Sequence, residues 1–158
     1  MSRKHSYKAL VTWTGNKGEG TKRYDLYDRN FTVLINGKPD LHGSSDAPFR
    51  GDTSRHNPED LFLTALSSCH MLWYLHLCAD SGIVVTHYRD NPVGTMTEDP
   101  DGGRFTSVVL HPEVIITDAS RIEEANRLHH EAHKQCFIAN SCNFPVTQEA
   151  RCTAEKAE

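Results

Sequence analysis

From Asn57 to Ala79 the chain reads NPEDLFLTALSSCHMLWYLHLCA, apolar on nearly every face of a helix. Asn57 is a good N-cap, Pro58 takes the first helical position, and Glu59 and Asp60 favour the positive end. Gly82 stops the run. Before it, Tyr7–Trp13, Tyr24–Tyr27 and Phe31–Ile35 read as strands, with GNKGEGTK as a turn and Asn36-Gly37 as a hairpin signal. HGSSDAPFRGDTSRH is a polar loop feeding the helix. After the helix, IVVTHYRD and VGTMTE alternate as strands, DPDGG turns, and RFTSVVLHPEVIIT supplies two more segments about Pro112. Asp118 or Ser120 caps a second helix to about Cys136, on which Ile122, Ala125, His129, Ala132 and Cys136 share one face. FPVTQEARCTAE closes the chain as one last strand. This order predicts a single α+β domain over residues 1–158 with mostly antiparallel pairing.

Length and charge then narrow the classes. A chain of 158 residues buries a core without disulfides or metal. The net charge of −4, with basic residues scattered, argues against nucleic acid as the partner. Leu61–Ala79 is nearly long enough to span a bilayer, but Ser67, Ser68, His70 and His76 interrupt it. It reads as the core helix of a soluble protein, covered nearly all round. Five cysteines without a CxxC pair, and an N-terminus without a secretion signal, fit free thiols in the cytoplasm.

Three familiar motifs fail on spacing. GNKGEGTK lacks the Lys-Ser/Thr of a phosphate loop, and His130-Glu131-Ala132-His133 is one residue short of a zinc-protease helix. Asn30-Phe31-Thr32 is a glycosylation site only in a secreted chain. His129, His133 and Cys136 are better placed, since steps of four and three align imidazole and thiol ligands, but no fourth zinc ligand is evident.

Cys69 sits mid-helix, where a free cysteine ordinarily packs as a small hydrophobe. Cys136 on the inner face of the second helix changes that, because two helices sharing a core bring such sulfurs toward disulfide range. Cys78 cannot serve, being about 13 Å along the helix from Cys69. Glu59 is about 15 Å away and cannot touch the thiolate, but an arginine between them could contact both and lower the thiol pKa.

Asn57-Pro58-Glu59-Asp60-Leu61, then Ser67-Ser68-Cys69, then Ala132-His133-Lys134-Gln135-Cys136 resemble the OsmC/Ohr family of osmotically inducible and organic-hydroperoxide-resistance proteins, over nearly the whole chain. The resemblance implies an intertwined homodimer, with long central helices wrapped by curved antiparallel sheets. It implies thiol-dependent reduction of small organic hydroperoxides, without a cofactor or metal, restored by an external thiol or dithiol. It makes Cys69 the peroxidatic cysteine, Cys136 the resolving one, and Glu59 the residue that positions the catalytic arginine. Arg50, in the loop feeding the helix, is favoured for that arginine over Arg55, Arg23 and Arg29, with protonated His70 as the fallback cation. Cys142 is a second thiol able to resolve. Two departures lie beside the site: His70 after the first cysteine, and Phe137-Ile138-Ala139 where better-studied members follow the second with Pro and Ser. The alternatives are a non-enzymatic carrier of an apolar ligand and a metal-binding module built on His129, His133 and Cys136.

Overall fold

The computed structural model describes residues 3–155, and the chain divides into two compact units, residues 1–61 and 62–158. In the first, β1 (Leu10–Trp13), β2 (Phe31–Leu34) and β3 (Leu41–Gly43) pair antiparallel in that order. The hairpin joining β2 to β3 turns at Asn36-Gly37, where Gly37 has a φ of 75° and Lys38 N–H donates to the Ile35 carbonyl.

Tyr24–Tyr27, expected as a strand, is a turn with only an isolated bridge from Tyr27 to Asn16. Arg29 is the cause. Its guanidinium lies 4.1 and 4.2 Å from the ring centres of Tyr24 and Tyr27, and it donates to both their carbonyls. The two carbonyls thus turn toward arginine and not toward a neighbouring strand.

Helix α1 spans Pro58–Asp80. Asn57 Oδ1 accepts from Asp60 N–H at 2.8 Å, and the Asp60 carboxylate accepts from Asn57 N–H at 3.4 Å. This reciprocal cap is worth about 1 kcal/mol. At the far end Gly82, at φ 69°, lets Ile83 N–H reach back to the Cys78 carbonyl.

The second unit holds two three-stranded sheets and helix α2 (Ile122–Gln135). One sheet has the order β4 (Val85–Asp90), β7 (Pro112–Ile116), β9 (Arg151–Ala154). The other has β5 (Val93–Asp99), β6 (Gly102–Leu110), β8 (Val146–Gln148). The expected last strand is therefore two, and both pair parallel, β8 with β6 and β9 with β7. The break at Pro112 explains this. Proline has no ladder donor, so the chain changes sheet there and the C-terminal segment follows it across.

Asp90 fixes the change. Its Oδ1 accepts from His111 N–H at 2.7 Å, and its Oδ2 accepts from the Ser67 hydroxyl at 2.5 Å, tying α1 to the β6–β7 corner.

Each sheet carries its own core. Leu66 of α1 packs with Val108, Leu110 and Val146, flanked by Phe62, Phe105 and Phe144. Tyr74 and Cys78 of α1 pack with Ile83, Val114, Ile116 and the Ala125 and Ala132 face of α2. Cys69 and His70 fall between Leu66 and Tyr74, at the seam. Within the single chain α1 is covered along one stripe, its fully buried residues being Leu66, His70, Tyr74 and Cys78, while Leu72 is 63% exposed.

Candidate active site

Cys69 projects from the middle of α1 and is half-buried. Cys136 terminates α2, its N–H donating to the His133 carbonyl at 3.2 Å, and it is only 1% exposed. Cys69 lies close enough to Cys136 to raise the pKa of its thiol. Cys136 thus stands at the seam where α2 runs out.

Beyond Cys136 the chain makes a tight turn into a 3-10 segment, Ala139–Ser141. Cys136 Sγ accepts from Ala139 N–H at 3.4 Å, and its carbonyl accepts from Asn140 N–H at 2.9 Å. Burial pushes the Cys136 thiol up to about 11, the adjacent Cys69 adds to this, and the Ala139 N–H partly offsets it. Cys136 is therefore a thiol at neutral pH. Cys142 turns its S–H to the Ile138 carbonyl of its own turn, at 3.3 Å.

On α1 the residues at Cys69, Leu72, Trp73 and His76 follow steps of three and four, so they share a face. Leu72, Trp73 and His76 line a recess of about 290 Å³, and Phe137 sets its ring edge-on to Trp73 at 5.6 Å.

His70 occupies the adjacent face and is 1% exposed, as is His129 of α2. His70 Nε2 and His129 Nδ1 are 3.0 Å apart, one ring's N–H donating to the other's lone pair. Tyr74 stacks on His129 with ring centres 3.8 Å apart. The outer nitrogens, His70 Nδ1 and His129 Nε2, are buried without a partner. Burial pulls His70 down to about 4, against the attraction of Asp90, and pulls His129 down to about 3. A protonated His70 is thus ruled out as an activating cation at neutral pH.

The metal reading also loses its geometry. His129 spends Nδ1 on His70, and among the described residues no group of three His, Cys, Asp or Glu side chains converges as metal ligands would.

In the first unit, Glu59 lies half-buried in the first turn of α1. Arg50 closes a short 3-10 turn, Ala47–Phe49, with a left-handed φ of 62°. It lines a cleft with Asp28, Arg29, Asn30, Gly51 and Asp52. Gly51 admits no side chain, because a Cβ would meet the Ser45 carbonyl at 1.5 Å. Among the four candidate arginines, Arg23 grips Asp25 bidentately, Arg29 is held by two carbonyls, and Arg55 pairs with Asp52. The Arg50 guanidinium alone has no hydrogen-bond or ion-pair partner among the described residues, and Glu59 likewise forms no ion pair there.

Sequence reasoning missed Asp90 and the His70–His129 pair. His129 stood on the recognised buried face of α2, and a histidine on such a face requires a partner; nothing in the sequence pointed to His70 as that partner.

A long central helix with open antiparallel and mixed sheets defines the class of fold. Residues 51–150 match the family described as OsmC-like protein, and the chain belongs to that family. An OsmC-like protein of unknown function from Vibrio cholerae is 32% identical, with 94% of this chain and 100% of that one covered and a TM-score of 0.83. An organic hydroperoxide resistance protein from Elizabethkingia anophelis, crystallised with thiocyanate bound, is 18% identical, with 98% and 100% covered and a TM-score of 0.69. One from Legionella pneumophila is 20% identical, with 95% and 99% covered and a TM-score of 0.67. At such identities the last two attest the fold. A comparison with curated proteins finds no match.

Proposed function

We propose that this protein is a thiol peroxidase that reduces organic hydroperoxides through Cys69 and Cys136. The observation that supports the reading is that Cys69 lies near enough to Cys136, at the end of α2, to raise its pKa. Their environments divide the labour. Cys136 is buried and holds its proton, which suits it to the second step and not to the first attack. Cys69 is the more accessible sulfur.

The Cys69 thiolate attacks the outer oxygen of ROOH. The O–O bond breaks, and the departing alkoxide takes a proton to become ROH, leaving Cys69 as a sulfenic acid. The Cys136 sulfur then attacks Cys69, the S–O bond breaks, and the thiol proton leaves with hydroxide as water. An external dithiol returns both cysteines to thiols by exchange. Arg50 and Glu59 take the activating and positioning roles that the family resemblance implies, a reading supported by the unpartnered guanidinium of Arg50. The apolar recess of Leu72, Trp73 and His76 on the Cys69 face favours an alkyl over a hydrogen peroxide.

The exposed side of α1 and Phe137, itself 61% exposed, supports a homodimer in which a second copy covers this apolar flank. Sedimentation at low micromolar concentration should show a dimer; a folded monomer would remove that part of the reading. Activity is tested by following cumene hydroperoxide and hydrogen peroxide consumption with dithiothreitol as reductant. Faster turnover of the organic peroxide is expected, and no turnover of either would overturn the assignment.

A further inference from the structure

We propose that the buried His70–His129 pair is a positioning clamp that holds Cys69 against Cys136, acting through its hydrogen bond and not through proton transfer. The inference builds on the role assigned above to the two thiols. His70 adjoins Cys69 on α1, and His129 stands two turns before Cys136 on the same face of α2. Their 3.0 Å bond joins the middle of α1 directly to α2.

The pair is a poor stabilising device. Each ring buries a second nitrogen with nothing to bind, and two apolar rings of similar shape would fill the same space without that cost. What the pair provides is direction. Apolar side chains tolerate sliding of one helix on another, whereas a hydrogen bond between two rings set edge to edge, 6° from parallel, fixes the register. Asp90 anchors α1 on its other side through Ser67, so α1 is pinned on both flanks of Cys69.

The clamp is read in the equilibrium between the protein dithiol plus oxidised glutathione and the protein disulfide plus two reduced glutathiones. Alkylation and peptide mapping give the Cys69–Cys136 disulfide fraction at each glutathione ratio, with thermal unfolding measured in parallel. Replacing both rings by apolar ones, H70F with H129F, should leave the melting temperature unchanged or raised. It should also weaken the disulfide about tenfold, a shift of roughly 30 mV. The pair H70Q with H129N places amide groups where Nε2 and Nδ1 stand, so it should restore the parent equilibrium, which a proton relay would not require.

Should H70F with H129F not fold, H129L alone should give the same weakening. An unchanged disulfide equilibrium in folded H70F with H129F, or in H129L, overturns the clamp. Failure of H70Q with H129N to restore it overturns the hydrogen-bond mechanism. Because no peroxide enters this experiment, an inactive protein that still shows the shift would sink the peroxidase reading and leave the clamp standing.

Discussion

Cys69 and His70 are consecutive, yet they live in different surroundings. One step along α1 turns a side chain by about 100°. On one side of that step lies a half-buried thiol on the helix face of Leu72, Trp73 and His76. On the other lies an imidazole 1% exposed, held neutral and locked to a second helix. Their partners differ likewise: Cys136 ends α2, where the backbone turns away and offers an N–H to sulfur, whereas His129 sits inside α2 under the ring of Tyr74. The proposed reactivity belongs to the residue at the seam between the two cores, and the proposed rigidity to its neighbour.

The contrast breaks most completely at Cys69. Serine in its place should reduce peroxide turnover to background with the fold intact, because a hydroxyl is a far poorer nucleophile than a thiolate. Peroxide consumption at the parent rate would place the chemistry elsewhere. Cys136→Ser should permit a single turnover, after which Cys69 stalls as sulfenic acid or proceeds to sulfinic acid, visible as a mass gain of two oxygens. Sustained turnover with a Cys69–Cys142 disulfide would transfer the resolving role to Cys142.

Acid sharpens the other half of the comparison. Unfolded histidines take up protons near pH 6.5, whereas folded His70 and His129 refuse them until about pH 4 and about pH 3. The unfolded state therefore binds more protons below 6.5, and stability is lost as pH falls from there toward those values. The slope is about 1.4 kcal/mol per pH unit for each histidine. Urea unfolding should show a loss of roughly 4 kcal/mol between pH 7 and pH 5, and H70Q with H129N should remove most of it. An equal loss in that variant would show that other groups govern the acid limit.

The smallest effect expected is at Arg50. Methionine there keeps much of the bulk and removes the charge, so iodoacetamide should alkylate Cys69 several-fold more slowly at neutral pH. If Arg23→Met has that effect and Arg50→Met does not, the activating role moves to Arg23, despite its grip on Asp25.

Much of this was legible in advance. The cap at Asn57, the stop at Gly82 and the stripe from Ala125 to Cys136 are local signals, and α1 and α2 follow them closely. The Asn-Pro-Glu start and the cysteine spacing carried the family. Non-local partners were less legible. Tyr24–Tyr27 has strand-like residues, but Arg29 takes their carbonyls. The parallel pairing of β8 and β9 depends on strands dozens of residues away. Full apolarity of α1 called for cover on nearly every side; the described residues supply one stripe of it, and apolar composition does not say what supplies the rest. His70 passed as an unusual neighbour of the first cysteine because its partner lies 59 positions on.

The central claim is that Cys69 and Cys136 are one redox pair, and its most direct test needs only the unmodified protein. The fully reduced chain is mixed with one equivalent of cumene hydroperoxide, quenched by alkylation, digested without reductant and mapped by mass spectrometry. The account predicts loss of two hydrogens and a single new peptide pair linking Cys69 to Cys136, with Cys78, Cys142 and Cys152 alkylated as free thiols. Five alkylated thiols and unconsumed peroxide would contradict it.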